Sequence, residues 1–131
     1  MISLKNTLDV ESHVAIGKAL EPLRDEDVLI IASGMSYHNM RKFRTAEPEH
    51  VAEAVRFDDW LTQAVSTKDP SEREERLAGW QDNPDARACH VPDHDHLVPL
   101  FVASGAAGSD AGTQILRATF LGKPYSAYRF G

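Results

Sequence analysis

Three histidines, a cysteine and two aspartates fall within eight residues, in the run CHVPDHDH from Cys89 to His96. Imidazole is the commonest metal ligand and the side chain that exchanges a proton near neutral pH. His90, His94 and His96 are spaced by four and two residues. His90 and His94 would share one helical face, as in HExxH metal sites, but Pro92 between them argues against a continuous helix. The spacing also departs from the HxHxDH pattern of metallo-β-lactamases. Asp93 or Asp95 is placed to be a further ligand or an acceptor that orients a ligating histidine. The competing reading is a polar helix entrance with solvated histidines. Cys89 fits packing better than nucleophilic work, because no thiolate-stabilising pattern surrounds it.

A second histidine stands in SGMSYHNM, residues 33 to 40, directly after an apolar run. Ser33 and Gly34 permit a tight turn and a close approach of backbone to ligand. His38 can take or give a proton, and Asn39 can orient a substrate oxygen. The alternative is a helix start at which His38 and Asn39 only cap backbone groups.

Positioning these residues requires a scaffold. Residues 2–4 read as a short strand. Asp9 or Ser12 caps a helix running through Leu23, with Val14, Ile16, Leu20 and Leu23 on its apolar face. Val28–Ala32 is an apolar, β-branched run and reads as a buried strand of parallel type. Sites in open α/β sheets lie beyond the carboxyl ends of such strands, which is where Ser33 to Asn39 fall. Phe57–Val65 is helical by spacing. Ser71 and Glu74 form a capping box for another helix, ending near Gly79. Asn83–Pro84 interrupts the chain. Asp93 or Asp95 caps a helix through Ala107, with Pro99 in its first turns and Gly105 and Gly108 weakening its end. Ile115–Leu121 and Ser126–Phe130 read as strands. Helices interleaved with strands predict an α/β fold, a central and mainly parallel sheet with helices on both faces.

The 131 residues allow one domain, 1–131. Fourteen basic residues against 20 acidic ones leave a net charge of −6, and the basic residues are scattered. That excludes nucleic-acid backbone binding as a general role. A single cysteine excludes an internal disulfide and fits a reducing compartment. No secretory leader or long apolar span is evident. A soluble, cytoplasmic protein without a membrane partner is expected.

Several of these pieces fall in the order of a known family. They are H-x-x-x-G-K-A-L-x-P-L-R-D-E-D-V-L-I-I-A-S-G-M-S-Y-H-N-M-R at 13–41, F-D-D-W-L at 57–61 and W-x-x-x-P-x-A-R at 80–87. They continue with H-L-V-P-L-F-V-A-S-G-A-A-G at 96–108 and Y-R-F-G at 128–131. The chain resembles the C-terminal half of class III extradiol ring-cleavage dioxygenases, the LigB-like superfamily and its DOPA-dioxygenase type. The resemblance implies an enzyme that opens a catechol ring with O₂ at non-haem Fe(II), with Zn(II) in some members. It implies that His38 is the acid–base histidine or an additional ligand. It places His96 next to the metal, and Ser33, Gly34 and Asn39 in the same substrate-facing loop.

The family's H-P-x-x-E-H segment is altered here: His90 and His96 are six apart, and Val91 precedes Pro92. His90 and His94 are therefore the substitute ligand candidates. The family's remaining metal-binding histidines belong to its N-terminal half. A half-sheet exposes an edge, so a homodimer or a separate N-terminal polypeptide is the expected partner. Two further hypotheses are a non-catalytic aromatic-binding or regulatory subunit of the same fold, and a structural homo-oligomer with incidental histidines.

Overall fold

In the computed structural model, which describes residues 1–131, five helices pack around one core, and two small sheets flank it. Helix α1 spans Val10–Leu20, capped by Asp9, whose carboxylate accepts from Ser12 N–H at 2.7 Å. It passes into a 3₁₀ turn, Glu21–Glu26, rather than continuing to Leu23 as a regular helix, because Pro22 supplies no amide to the ladder. Helix α2 spans Pro48–Val65 and buries Ala54, Phe57, Asp58, Leu61, Ala64 and Val65, a three-and-four spacing that turns one face to the core. Helix α3, Pro70–Ala78, is capped by Asp69 rather than by Ser71, since Asp69 reaches Glu72 N–H and Pro70 occupies the first turn. Helix α4 is Pro84–Cys89, capped by Asn83. Helix α5 is Val98–Ala106 and starts without a side-chain cap; Asp93 and Asp95 instead accept from the amides of His94 and His96.

Gly105 lies one residue before the end of α5 and has a packing role as well. A Cβ there would overlap the carbonyl of Val14, and a Cβ at Gly17 would overlap that of Val102, so the two glycines let α1 and α5 cross in backbone contact. This fixes α5, whose N-terminus leads back into the histidine-rich run.

Strands β1 (His38–Asn39) and β2 (His90–Val91) form a parallel pair, His38 opposite His90 and Asn39 opposite Val91. Strands β3 (Gly112–Phe120) and β4 (Lys123–Phe130) form an antiparallel hairpin with a bulge between Gln114 and Leu116. The class is mixed α/β. Parallel pairing is confined to the two short strands that carry His38 and His90, two residues each, and the longer ladder is antiparallel.

The strands expected at 2–4 and at Val28–Ala32 do not form. Residues 29–34 exchange no backbone hydrogen bonds, and Leu29 and Ile31 stand 81% and 79% exposed. A strand exists only by pairing, and no neighbour lies beside this segment. The core is built instead from Phe57, Leu61, Val65, Leu77, Trp80, Cys89, Leu97, Val98 and Phe101. No helix is long and apolar enough to cross a membrane.

Candidate functional site

The parallel pair brings the two histidine-bearing runs together. Asn39 secures the contact: its amide NH₂ donates to Ala88 O at 2.7 Å, and its carbonyl oxygen accepts from the amides of Arg41 and Lys42. Both ends of that buried side chain are engaged by backbone, which holds the loop in place. Gly34 makes the second contact. A Cβ there would overlap His96 O, and Met35 N–H donates to the same carbonyl at 2.8 Å. The segment after Ala32 is thus pressed directly onto the His96 backbone.

Between these two clamps the rings of His38 and His96 stack, with centroids 3.6 Å apart and planes inclined by 24°. Asp95 completes a group in which one donor atom each from His38, Asp95 and His96 lies within 4.8 Å of the others. His96 Nε2 stands 3.8 Å from the Asp95 carboxylate. The His96 and Asp95 side chains are 43% and 49% exposed, so the group opens on one side. His38 is more enclosed, and its Nδ1 is buried without a partner. Burial first, and the neighbouring His96 second, hold its pKa below the ordinary histidine value. His38 is therefore neutral near pH 7, the form that accepts a proton or ligates a metal.

The other two histidines lie outside this group. His90 sits between the rings of Phe57 and Trp80, each edge-on at 5.2 and 5.3 Å. Its Nδ1–H donates to Ala86 O at 2.8 Å, and its Nε2 is buried without a partner. Burial pushes its pKa down to about 4. His94 donates from Nε2 to Leu8 O at 3.0 Å and lies against Trp80. His13 is satisfied on both nitrogens, by Asp9 O and by the Lys5 amide. Cys89 is fully buried, and burial with the carboxylates of Glu53 and Asp85 pushes its thiol far above the usual range, consistent with packing.

Residue types and spacing left Asp93 and Asp95 equivalent; the fold selects Asp95. They missed Tyr37, whose hydroxyl is buried without a partner, whose ring lies against Phe43 and Lys123, and whose pKa burial raises to about 12. They also missed the aromatic box around His90, because Phe57 and Trp80 come from separate helical segments.

A groove of about 740 Å³ leads away from His96, lined by residues 28–36, one face of α5 and β4. Ser33 and Gly34 form its wall next to His96.

A fold of this kind, with two sequence-distant histidines and a carboxylate converging beside a strand-like segment, defines a class that sequence comparison names. The sequence model of the family described as the catalytic LigB subunit of aromatic ring-opening dioxygenase matches residues 1–131. The chain belongs to this family. It is 31% identical over 134 residues to a 4,5-DOPA dioxygenase extradiol of Beta vulgaris, covering 98% of this chain and 47% of that protein. A 4,5-DOPA dioxygenase extradiol of Mirabilis jalapa is 32% identical, at 98% and 48% coverage, and dioxygenase tasH of Hapsidospora irregularis is 31% identical, at 94% and 40%. The crystal structure of an uncharacterised Escherichia coli K12 protein superposes with a TM-score of 0.74 at 23% identity, over 92% of this chain and 49% of that one. That likeness shows the fold. The chain spans about half the length of the curated relatives it matches.

Proposed function

We propose that the chain supplies the metal-proximal half of an extradiol-type active site that opens a catechol ring with O₂. The observation that carries this reading is the His38–Asp95–His96 group, in a chain of the LigB family. His96 and Asp95 offer an imidazole and a carboxylate, donor types that non-haem Fe(II) and Zn(II) both take, and His38 would add a second imidazole if it ligates. The donor chemistry therefore fits the metal that the family implies.

His96 and Asp95 would hold the metal. When bound, the metal supplies a Lewis-acid centre at which a catechol and O₂ meet. His38, neutral at pH 7, takes a catechol hydroxyl proton on a ring nitrogen and later returns it. The exposed Ser33 hydroxyl and the Gly34 backbone form the wall against which the aromatic ring rests. His90 Nδ1 is bonded to Ala86 O and His94 Nε2 to Leu8 O, and neither histidine is part of the His38–Asp95–His96 group on which this reading rests.

A second reading has His38 as a third ligand, favoured by its donor atom lying within 4.8 Å of those of Asp95 and His96. An anaerobic titration with Fe(II) or Zn(II), followed by calorimetry, tests both. About one metal per chain, lost in His96→Ala, supports the site. Unchanged binding in that variant overturns it. If His38→Ala leaves affinity within a fewfold of the parent but abolishes catechol ring cleavage in the assembled protein, His38 is the acid–base group; a comparable loss of affinity makes it a ligand.

A further inference from the structure

Asp95 and His96 are the two central residues of a four-residue turn, closed by Leu97 N–H donating to His94 O at 2.9 Å. Asp95 Oδ1 accepts from the His96 amide at 3.0 Å, which leaves Oδ2 to face His96 Nε2 at 3.8 Å. The geometry of the candidate metal group is therefore set by this turn. Its far end is firm, because Leu97 is buried and leads into α5. Its near end is not held by main chain. Pro92 has no N–H to donate, and the carboxylates of Asp93 and Asp95 bond only the amides that follow them. The one hydrogen bond that ties residues 92–95 to a distant part of the chain is a side-chain bond. It runs from His94 Nε2 to Leu8 O at 3.0 Å. The His94 ring also lies against Trp80, centroids 4.9 Å apart, and its Nδ1 stands 3.4 Å from Asp93.

The acceptor is itself fixed. Leu8 has a φ of +53°, a left-handed backbone that leucine rarely adopts and that persists only where the surroundings dictate it. Buried His13 supplies those surroundings. Its Nδ1–H donates to Asp9 O at 2.6 Å, and its Nε2 accepts from the Lys5 amide at 3.1 Å. Leu8 N–H closes the same segment onto Lys5 O at 3.2 Å. His13 belongs to α1, which crosses α5 in backbone contact at Gly17 and Gly105. Leu8 O is thus fixed relative to the two helices, and the His94 side chain carries that constraint to the turn.

We propose that His94 is a positioning residue: by donating from Nε2 to Leu8 O it sets the turn that holds Asp95 and His96 against His38. That the turn serves a metal rests on the proposed function; that His94 sets the turn does not. A carbonyl needs a donor, so this role requires an N–H at the place of Nε2 and not an imidazole as such. Ligation by His94 would require the imidazole. The two roles therefore part when the donor is kept and the ring is removed.

The 131-residue chain is compared with His94→Gln, which keeps an N–H near the place of Nε2, and with His94→Leu, which fills similar space without a donor. Should His94→Leu not fold, His94→Glu replaces it, having the shape of glutamine and no donor. Amide exchange and the Overhauser contacts between the His38 and His96 rings are read by NMR in the metal-free chain. Zn(II) binding is then measured by calorimetry. Without the donor, the Leu97 and Met35 amides, which bond His94 O and His96 O, should exchange about tenfold faster, beyond any change in the α2 amides that report global stability. The ring contacts should weaken, and Zn(II) affinity should fall about 10- to 100-fold. His94→Gln should stay within about threefold of the parent in exchange and in affinity. Three outcomes overturn the inference. The donorless variant keeps the parent's exchange and ring contacts. Its amides speed up everywhere alike, which makes His94 a packing residue only. His94→Gln loses Zn(II) as fully as the donorless variant while its turn stays ordered, which makes His94 a ligand. A parent chain that binds no Zn(II) counts against the metal reading alone, and exchange and ring contacts still decide the role of His94.

Discussion

His38 and His96 stack ring on ring at 3.6 Å, one carried by β1 and the other by the loop into α5. After burial, the neighbouring His96 is what holds the pKa of His38 below the ordinary histidine value. His96→Ala removes that neighbour and opens the ring of His38 to water. The His38 pKa should then rise toward the ordinary histidine value, read from its imidazole proton shifts across a pH titration. A value that stays put or falls would mean the stacked pair does not persist in solution.

Gly34 touches the His96 carbonyl with no room for a methyl group. Gly34→Ala must push two backbone segments apart and lengthen the Met35–His96 hydrogen bond. The expected cost is about 1–3 kcal/mol in urea unfolding, together with weaker Zn(II) binding, because the displaced residue is His96 itself. Full stability with full metal affinity would refute the clamp.

Asn39, read from the sequence as able to orient a substrate oxygen, has both ends of its side chain bonded to backbone. Its amide is spent on Ala88 O and the amides of Arg41 and Lys42. Asn39→Ala leaves those buried groups unsatisfied, which costs roughly 1–3 kcal/mol. The loss should appear in unfolding midpoints, while KM for a catechol in the assembled enzyme changes less than stability does. A KM effect at unchanged stability would return Asn39 to the substrate.

His90 gives the fold an acid limit. Its pKa near 4 lies below that of an unfolded histidine near 6.5, so between these values the unfolded chain binds more protons. Stability should therefore be fully present above about pH 6.5 and fall as pH drops toward 4, by about 3 kcal/mol from this group. His90→Asn, compared by urea unfolding at several pH values, should flatten this dependence. An unaltered slope would place the acid sensitivity elsewhere.

Much of this was legible in the residues themselves. The helices at 57–65 and from about Ser71 to Gly79, and the strands at 115–121 and 126–130, follow from periodicity and turn chemistry, which act over a few residues, although the cap of the second helix falls on Asp69. The cap of the first helix, left between Asp9 and Ser12 by the sequence, is likewise a local matter, and Asp9 takes it. The pairing of SGMSYHNM with the HDHL run could be named through family motifs, because those motifs preserve side-chain types in order.

Distance and partnership were not legible. Asp93 and Asp95 have the same chemistry and nearly the same context, and only the path of the chain after Pro92 decides which carboxylate reaches His38. His90 and His94 carry ligand chemistry in sequence, and the fold sets His90 between Phe57 and Trp80 and bonds His94 to Leu8 O, outside the His38–Asp95–His96 group. Val28–Ala32 is the sharpest case. Its composition determined that it would be extended and apolar, a property of side chains and backbone torsions. Whether it is a strand depends on hydrogen-bond partners contributed by other segments, and tertiary structure alone decided that, leaving the edge unpaired in this chain.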